Sequence, residues 1–430
     1  MAKKTLTPEN FEERLIWIAI VWTYAFYLVG GLYVLGPVLA WILFFYLALK
    51  LFLQRDDLPP EKKIRIPFGV WVWIIAMLVM EVALIAGHFN FDLGMAKTIK
   101  SSIGWAKGWA LMAIFPLLGC LQIRPQILYR AACVLCFQTI LFFPIFFLAY
   151  LLKLPETPFV SPLQAIGGPG PEFFALSLYE IDPGSGTPRW RLFTPWAPAL
   201  GFVANIYFIF ALKETDRKWR WFGLVGSIMM CLISQSRLAL VALVSVAMIT
   251  WGLTRLTRPF LLFLIGFAST ISGVFAPMIL QFADSFWEAF KAARADSTRV
   301  RNTLGRIALE RWRNEAPIWG HGIVERGPHL VEYMPIGSHH SWYGLLFVKG
   351  LVGFLALAIP MVWSFLEMVV KGQASSIARG GLSIVLILFL YTFGENLEIL
   401  AYLFWPGLVL LGIAFKEPLR NPFVRHHKEE

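Results

Sequence analysis

Long apolar runs, each closed by a few polar or charged positions, occupy most of this chain. About 20 largely apolar residues suffice to cross a bilayer as a helix. Runs of roughly that length lie near 15–31, 33–53, 68–88, 104–121, 129–152, 196–212, 220–235, 237–254, 259–281, 341–368, 381–394 and 400–415. They predict an all-α polytopic membrane protein of about twelve transmembrane helices. Three joints are tight: Gly30-Gly31, Ser234 to Arg237, and Gly394. Residues 1–430 read as one integral membrane domain with two long polar connections, 154–195 and 284–340. The first is rich in Gly and Pro (Gly167-Gly168-Pro169-Gly170-Pro171) and is expected to be irregular. Asp284 to Arg294 and Thr303 to Asn314, within the second, carry apolar residues at helical spacing. Long ordered connections usually carry function.

Composition agrees with the pattern. Hydrophobic residues make up 58% of the chain, above the roughly half expected of a soluble domain. Cys120, Cys133, Cys136 and Cys231 all fall inside apolar runs and read as small buried hydrophobes, with no metal spacing or disulfide framework. The segment Met1 to Arg14 carries both charge signs and no small-residue cleavage site, so the first run is expected to be a retained span.

Charge adds a direction. The net charge of +11 sits in short connections and not in a basic domain, which excludes nucleic acid and points to membrane lipids and phosphorylated lipid substrates. With the N-terminus cytoplasmic, one set of connections holds about 21 Lys and Arg, and the opposite short connections hold about six: Lys97, Lys100, Lys107, Arg189, Arg191 and Arg237. Both termini are therefore expected in the cytoplasm, with both long connections on the other side.

The residues able to do chemistry gather on that other side. Ser338-His339-His340-Ser341 enters a span that continues to Gly350-Leu351-Val352-Gly353. A histidine at the membrane edge can be a general base near neutral pH, or merely an interfacial side chain satisfied by backbone and water. Adjacent histidines on a helix point about 100° apart and rarely share a metal. Arg237 follows Ser234-Gln235-Ser236 between two apolar runs with almost no loop; it either snorkels or meets an anion. Arg306, after Gly305, lies in an arginine-rich connection whose acids nearly balance it, so a solvated face competes with a functional one. Arg189 and Arg191 flank Trp190 just before Pro195, and arginine suits bidentate phosphate binding. No Walker A loop, dinucleotide fingerprint or Asp-x-Asp pair occurs. Mid-span ionisable groups are few, chiefly Glu81, with Lys349 and Glu367 nearer span ends, which speaks against an ion-coupled transporter.

Taken in order, these segments resemble the bacterial O-antigen ligase and O-antigen polymerase superfamily. Arg191-Leu192-Phe193 with Pro195 is similar to its Arg-containing loop before a span. Ser234 to Arg237 is similar to its Ser-x-x-Arg junction. Gly305-Arg306, Trp312 and Pro317-Ile318-Trp319-Gly320-His321-Gly322 are similar to its Arg followed by Pro-x-x-Gly-x-Gly. His339, nine residues and then Gly350 to Gly353 fit the ligase spacing, although His340 stands where that pattern has Asn, Ser or Gln. Taking His340-Ser341 as the pair restores the residue types but shortens the spacer to eight, so His340 stays an alternate to His339.

The resemblance implies a fold similar to GT-C glycosyltransferases. It implies a multi-pass protein of the bacterial inner membrane with a periplasmic site. The implied activity is O-antigen ligation: transfer of a polysaccharide from an undecaprenyl pyrophosphate-linked donor to a lipid A-core acceptor, with inversion and without cofactor or metal. His339 would be the base; Arg191, Arg237 and Arg306, with Arg189 as a further candidate, would bind the pyrophosphate. An O-antigen polymerase or a protein O-oligosaccharyltransferase shares the donor and the motifs. A lipid-linked glycan flippase is the alternative of another class.

Overall fold

The structure, a computed structural model, describes residues 6–419 apart from 56, 58, 60–62, 183–185, 257, 279, 283, 286–294, 332 and 338. The polar breaks in the sequence become helix caps and turns. Asn10, Asp216, Ser236, Ser375 and Asn396 each cap the following helix through a side-chain oxygen. Pro125 and Pro259 start helices at the position where a missing N–H costs nothing.

The helices are α1 (Phe11–Val21), α2 (Thr23–Leu28), α3 (Leu32–Phe52), α4 (Phe68–Asn90), α5 (Met95–Lys107), α6 (Leu111–Leu118), α7 (Pro125–Leu151) and α8 (Ala197–Lys213). They continue with α9 (Arg217–Ile233), α10 (Arg237–Leu253), α11 (Pro259–Val274), α12 (Ala295–Glu315), α13 (Ser341–Gly372), α14 (Ser376–Tyr391) and α15 (Leu397–Phe415). Helix α15 is the axis of the bundle, buried over almost its whole length and packed on α3, α6, α8 and α14. Helix α4 lies along α13, and α7 and α8 lie along α9.

Outer helices are apolar on both faces. On α4, Trp73, Met77 and Met80 face the core while Trp71, Ile75, Leu78 and Val82 are exposed. On α3, Ile42, Phe45 and Leu49 are exposed in the same way. Water does not tolerate apolar stripes of this extent; lipid does. The chain is a multi-pass, all-α membrane protein.

Among the described residues, five single helices are long and apolar enough to span alone: α3, α4, α7, α13 and α15. A sixth is reached if Leu262–Val274 and Ala276–Phe282, bent by 79°, count as one. Helices α8, α10 and α14 are apolar but have only 16 or 17 residues. At ~1.5 Å per residue that is about 25 Å, against a hydrocarbon core of about 30 Å. Besides the bent run at 259–281 and the one at 341–368, which breaks at Gly350, two expected runs are broken. The first divides at Trp22 between α1 and α2, and the fourth divides between Lys107 and Leu111 into α5 and α6. The four cysteines are free and buried.

The 154–195 connection is irregular, as its Gly and Pro content predicts. It holds two minimal hairpins, Phe159–Val160 with Ala175–Leu176 and Glu180–Ile181 with Pro188–Arg189. In the second long connection, α12 covers the stretch expected from Thr303 to Asn314. Most of the stretch from Asp284 to Arg294 lies outside the described residues.

The two ends of the bundle differ. At one end, ion pairs hold the basic connections: Arg124 with Glu9 and Glu13, Arg130 with Glu214, and Lys371 with Glu367. At the other end, the segments carrying Arg191, Arg237, His339 and Glu395 are joined by hydrogen bonds.

Candidate active site

The turn between α9 and α10 is built by its own polar residues. Ser234 Oγ donates to the Cys231 carbonyl and accepts from the Ser236 amide, at 2.8 and 3.2 Å. Gln235 takes a left-handed conformation (φ 50°), and Ser236 Oγ accepts from the Ala239 amide. Arg237 thereby becomes the first residue of α10.

The Arg189–Arg191 loop docks on this turn. Gln235 Nε2 donates to the Pro188 carbonyl at 2.9 Å, and the Trp190 amide donates to the Ile233 carbonyl at 3.1 Å. Trp190 is buried among Phe143, Phe147 and Tyr150. Arg189 is engaged within its hairpin by Glu180 and Asp182. Arg191 is half-buried and donates to the Pro195 carbonyl, which closes the turn leading into α8.

The histidine segment closes onto the opposite joint. His340 is the N-cap of α13: its Nδ1 accepts from the Tyr343 amide at 3.4 Å. Its ring stacks on Tyr343 with centroids 3.9 Å apart and meets the edge of Phe393. The Ser341 amide donates to the Thr392 carbonyl at 2.9 Å, and Ser341 Oγ donates to the Glu395 carbonyl at 2.7 Å. His340 and Ser341 are thus committed to fixing α13 against the α14–α15 turn. The His339 ring makes no hydrogen bond to a described residue. Burial, and then the charge of Arg301, lower its pKa to about 4, so the imidazole is neutral at physiological pH. Ser338 lies outside the described residues.

Helix α12 reaches this segment through a small core of its own. Val300, Leu304 and Ala308 pack against Val331, Ile336, Phe347 and Val348. Gly305 allows the contact with α13, since a Cβ there would sit 2.7 Å from the Tyr343 ring. Arg306 follows it on the exposed face, away from Leu304 and Ala308, and makes no hydrogen bond or ion pair among the described residues. The arginine that acts electrostatically on His339 is Arg301, one turn before Gly305. Sequence patterning held the signal for this: Val300, Leu304 and Ala308 mark the inner face of α12, Arg301 flanks it, and Arg306 opposes it.

The Pro317–Gly322 loop has a structural task. Helix α13 is broken at Gly350 (φ 62°, ψ −161°). The loop runs alongside the break. The His321 and Gly322 amides donate to the Phe347 and Val348 carbonyls at 2.9 and 2.8 Å. The Leu351 and Val352 amides donate to the Pro317 and Ile318 carbonyls at 2.9 and 3.2 Å. His321 is buried and spans from the Phe347 carbonyl to Glu315, and Arg311 ties Glu315 to Glu325. The nine residues from Ser341 to Lys349 are therefore the length of the first, separate piece of α13.

Glu395, in the α14–α15 turn, was not singled out from sequence. It is buried, and its Oε2 accepts from Trp196 Nε1 at 2.9 Å. Burial pushes its pKa up to about 7, against opposing pulls from Arg301 and the Trp196 hydrogen bond. The signal available was an acid at a tight joint between two apolar runs. Among the described residues no group of three His, Cys, Asp or Glu side chains is placed to hold a metal ion.

One end of the bundle thus brings together two arginine-bearing turns, an imidazole without a hydrogen bond to a described residue and a buried carboxyl. Residues 222–358, about a third of the chain, match a family model described as O-antigen ligase. The matched segment runs from α9 into α13 and includes Arg237, Arg306, His339 and the Gly350–Gly353 break. Comparison with curated proteins gave no match.

Proposed function

The chain belongs to the O-antigen ligase superfamily, and from that premise we propose that it transfers a polysaccharide from undecaprenyl pyrophosphate to a sugar of the lipid A core. The observation that carries this reading is the convergence of the Arg191 loop, the Arg237 turn and the His339 segment on one end of a membrane bundle.

A sugar hydroxyl is a poor nucleophile near pH 7, so a positioned base could contribute about 10²–10⁴-fold. His339 is that base. It is neutral, and its ring nitrogens make no hydrogen bond to a described residue. As the acceptor O–H breaks, the oxygen forms a bond to the anomeric carbon from the face opposite the leaving group. The bond from that carbon to phosphate oxygen breaks, its electron pair stays on the lipid pyrophosphate, and the proton rests on His339. Direct displacement inverts the anomeric centre. The leaving group needs charge stabilisation more than protonation. Arg191 and Arg237 supply it as a clamp, with Arg306 or Arg301 reaching from α12. No metal ion is invoked.

The site faces the periplasm in this reading, because the opposite end carries the excess of Lys and Arg. The shorter apolar helices complete the bundle as further spans of a GT-C-like fold of about twelve. Both lipid substrates would enter sideways between helices.

The test separates the two histidines. His339→Ala is expected to lose about 10²–10⁴-fold in ligation of purified donor to acceptor, with its melting temperature unchanged. His340→Ala is expected to keep the chemistry and lose the helix cap, about 1 kcal/mol of stability. Wild-type turnover by His339→Ala overturns the base assignment. A deletion strain distinguishes ligase from the related activities: core-linked polymer disappears for a ligase, long chains for a polymerase, glycoprotein for a protein O-oligosaccharyltransferase.

A further inference from the structure

One helix at the site end takes no part in the reaction above. Helix α5 lies back along α4: Trp105 Nε1 donates to the Met77 carbonyl at 3.1 Å, and Ser101 Oγ lies 3.0 Å from His88 Nε2. From α3, Trp41 Nε1 donates to the Ala106 carbonyl at 3.1 Å. These bonds fix which way the helix is turned. Residues four apart share a face, so Ser101 and Trp105 mark the packed stripe. Met95, Ile99 and Ile103 form a second stripe, each of them more than half exposed. Lys97, Lys100 and Lys107 form a third, with Gly104 among them.

The third stripe stands out by its charge. The segment 93–107 holds three lysines and no acid. They are half of the six Lys and Arg in the short connections on this side. At the opposite end, cations pair with carboxylates, as Arg124 does with Glu9 and Glu13. The side chains of Lys97, Lys100 and Lys107 have no ion-pair or hydrogen-bond partner among the described residues.

An exposed apolar stripe beside an unpaired cationic one fits one boundary. Hydrocarbon lying directly under phosphate offers the same two surfaces side by side. Water leaves the isoleucines uncovered, and hydrocarbon alone leaves the ammonium groups without an anion. A second copy of the chain, docked by the same face, would set lysine against lysine. We propose that α5 is an interfacial helix of the leaflet at the site end, its isoleucine stripe in the acyl boundary and its lysine stripe on the phosphates of anionic glycerophospholipids. The inference rests on the chain lying in a membrane and not on the reaction proposed above. The contact reaches the scaffold of the site. Phe91, at the end of α4, lies against His321 with ring centroids 5.0 Å apart, and a Cβ on Gly87 would sit 2.9 Å from the Gly322 amide. Lipid held by α5 thus steadies the loop that braces the broken α13.

The experiment uses the full chain in nanodiscs of phosphatidylglycerol and phosphatidylcholine. All four native cysteines are buried, so a single cysteine at Ile99 or Gly104 carries a nitroxide on one or the other exposed stripe. A Cβ at Gly104 meets nothing within 4 Å. The Ile99 label is expected to relax faster with oxygen, and the Gly104 label with a water-soluble nickel chelate. Chelate reaching both labels equally overturns the proposal. Native mass spectrometry then counts the lipids retained on extraction. Wild type is expected to keep phosphatidylglycerol in preference to phosphatidylcholine. Lys97→Gln, Lys100→Gln and Lys107→Gln are each expected to weaken that preference about fivefold, the triple variant to abolish it, and Lys100→Arg to keep it. Equal retention of the two lipids by wild type, or an unchanged preference in the triple variant, overturns the proposal. If the triple variant does not fold, an unmoved preference in all three single variants overturns it equally. A triple variant that keeps its phosphatidylglycerol but binds lipid-linked donor more weakly overturns it in favour of substrate docking. None of these readouts uses turnover, so failure of the proposed reaction leaves them unchanged.

Discussion

Arg301 and Arg306 stand five residues apart on one helix and face different surroundings. Arg306 belongs to the motif that the sequence makes visible, yet it lies on the outer face of α12. Arg301 belongs to no motif, yet its charge reaches His339 and Glu395. If the static arrangement is the working one, Arg301→Ala should depress ligation by at least about tenfold more than Arg306→Ala. Equal or reversed losses, measured as kcat/KM on the same substrates, would mean that α12 rolls when substrate binds. His339 was legible because its distance from a glycine pair was fixed. Arg301 and Glu395 were not, because the interactions that single them out run between segments far apart in sequence. Helical periodicity in α12 would still have shown that Arg306 opposes the buried face.

At the scale of elements, apolar runs reported where helices are but not where they break. The run at 104–121 hid the division between α5 and α6, and the run at 341–368 hid the break at Gly350. Hydrophobicity does not register a break whose backbone groups are satisfied by another segment. Gly350 is the residue that permits it. Its positive φ and the Ile318 carbonyl oxygen beside it leave no room for a Cβ. Gly350→Ala should therefore cost about 1–3 kcal/mol or more, seen as a lower melting temperature and poor recovery from the membrane. An unchanged melting temperature would mean that the break is not constrained by the loop. The same substitution at Gly252, where nothing lies within 4 Å, serves as the control for loss of a helical glycine.

For the whole molecule, the separation of basic connections from the motif-bearing segments was legible from charge alone, because Lys and Arg placement is a property of short loops. The number of spans was less so, since 16- and 17-residue helices such as α8 and α14 depend on packing for their tilt and depth. The proposed orientation makes an expected outcome simple to read, because all four native cysteines are buried. A cysteine introduced at Gln164, on the site end, should react with an impermeant maleimide in intact spheroplasts. One introduced at Lys218, on the opposite end, should react only after permeabilisation. The reverse pattern would place the site in the cytoplasm and remove the lipid A core as acceptor.

The broken α13 also dictates an order of assembly. Four backbone groups that a continuous helix would pair with one another in two hydrogen bonds are satisfied instead by four bonds to the Pro317–Gly322 loop. Left alone in hydrocarbon, the carbonyls of Phe347 and Val348 and the amides of Leu351 and Val352 would each cost several kcal/mol. The broken form of α13 therefore cannot be reached before the preceding loop has folded back on it. In the proposed orientation, export of the loop and completion of the span become one step in biogenesis, and the histidine at the head of that span takes up its place only when both are done.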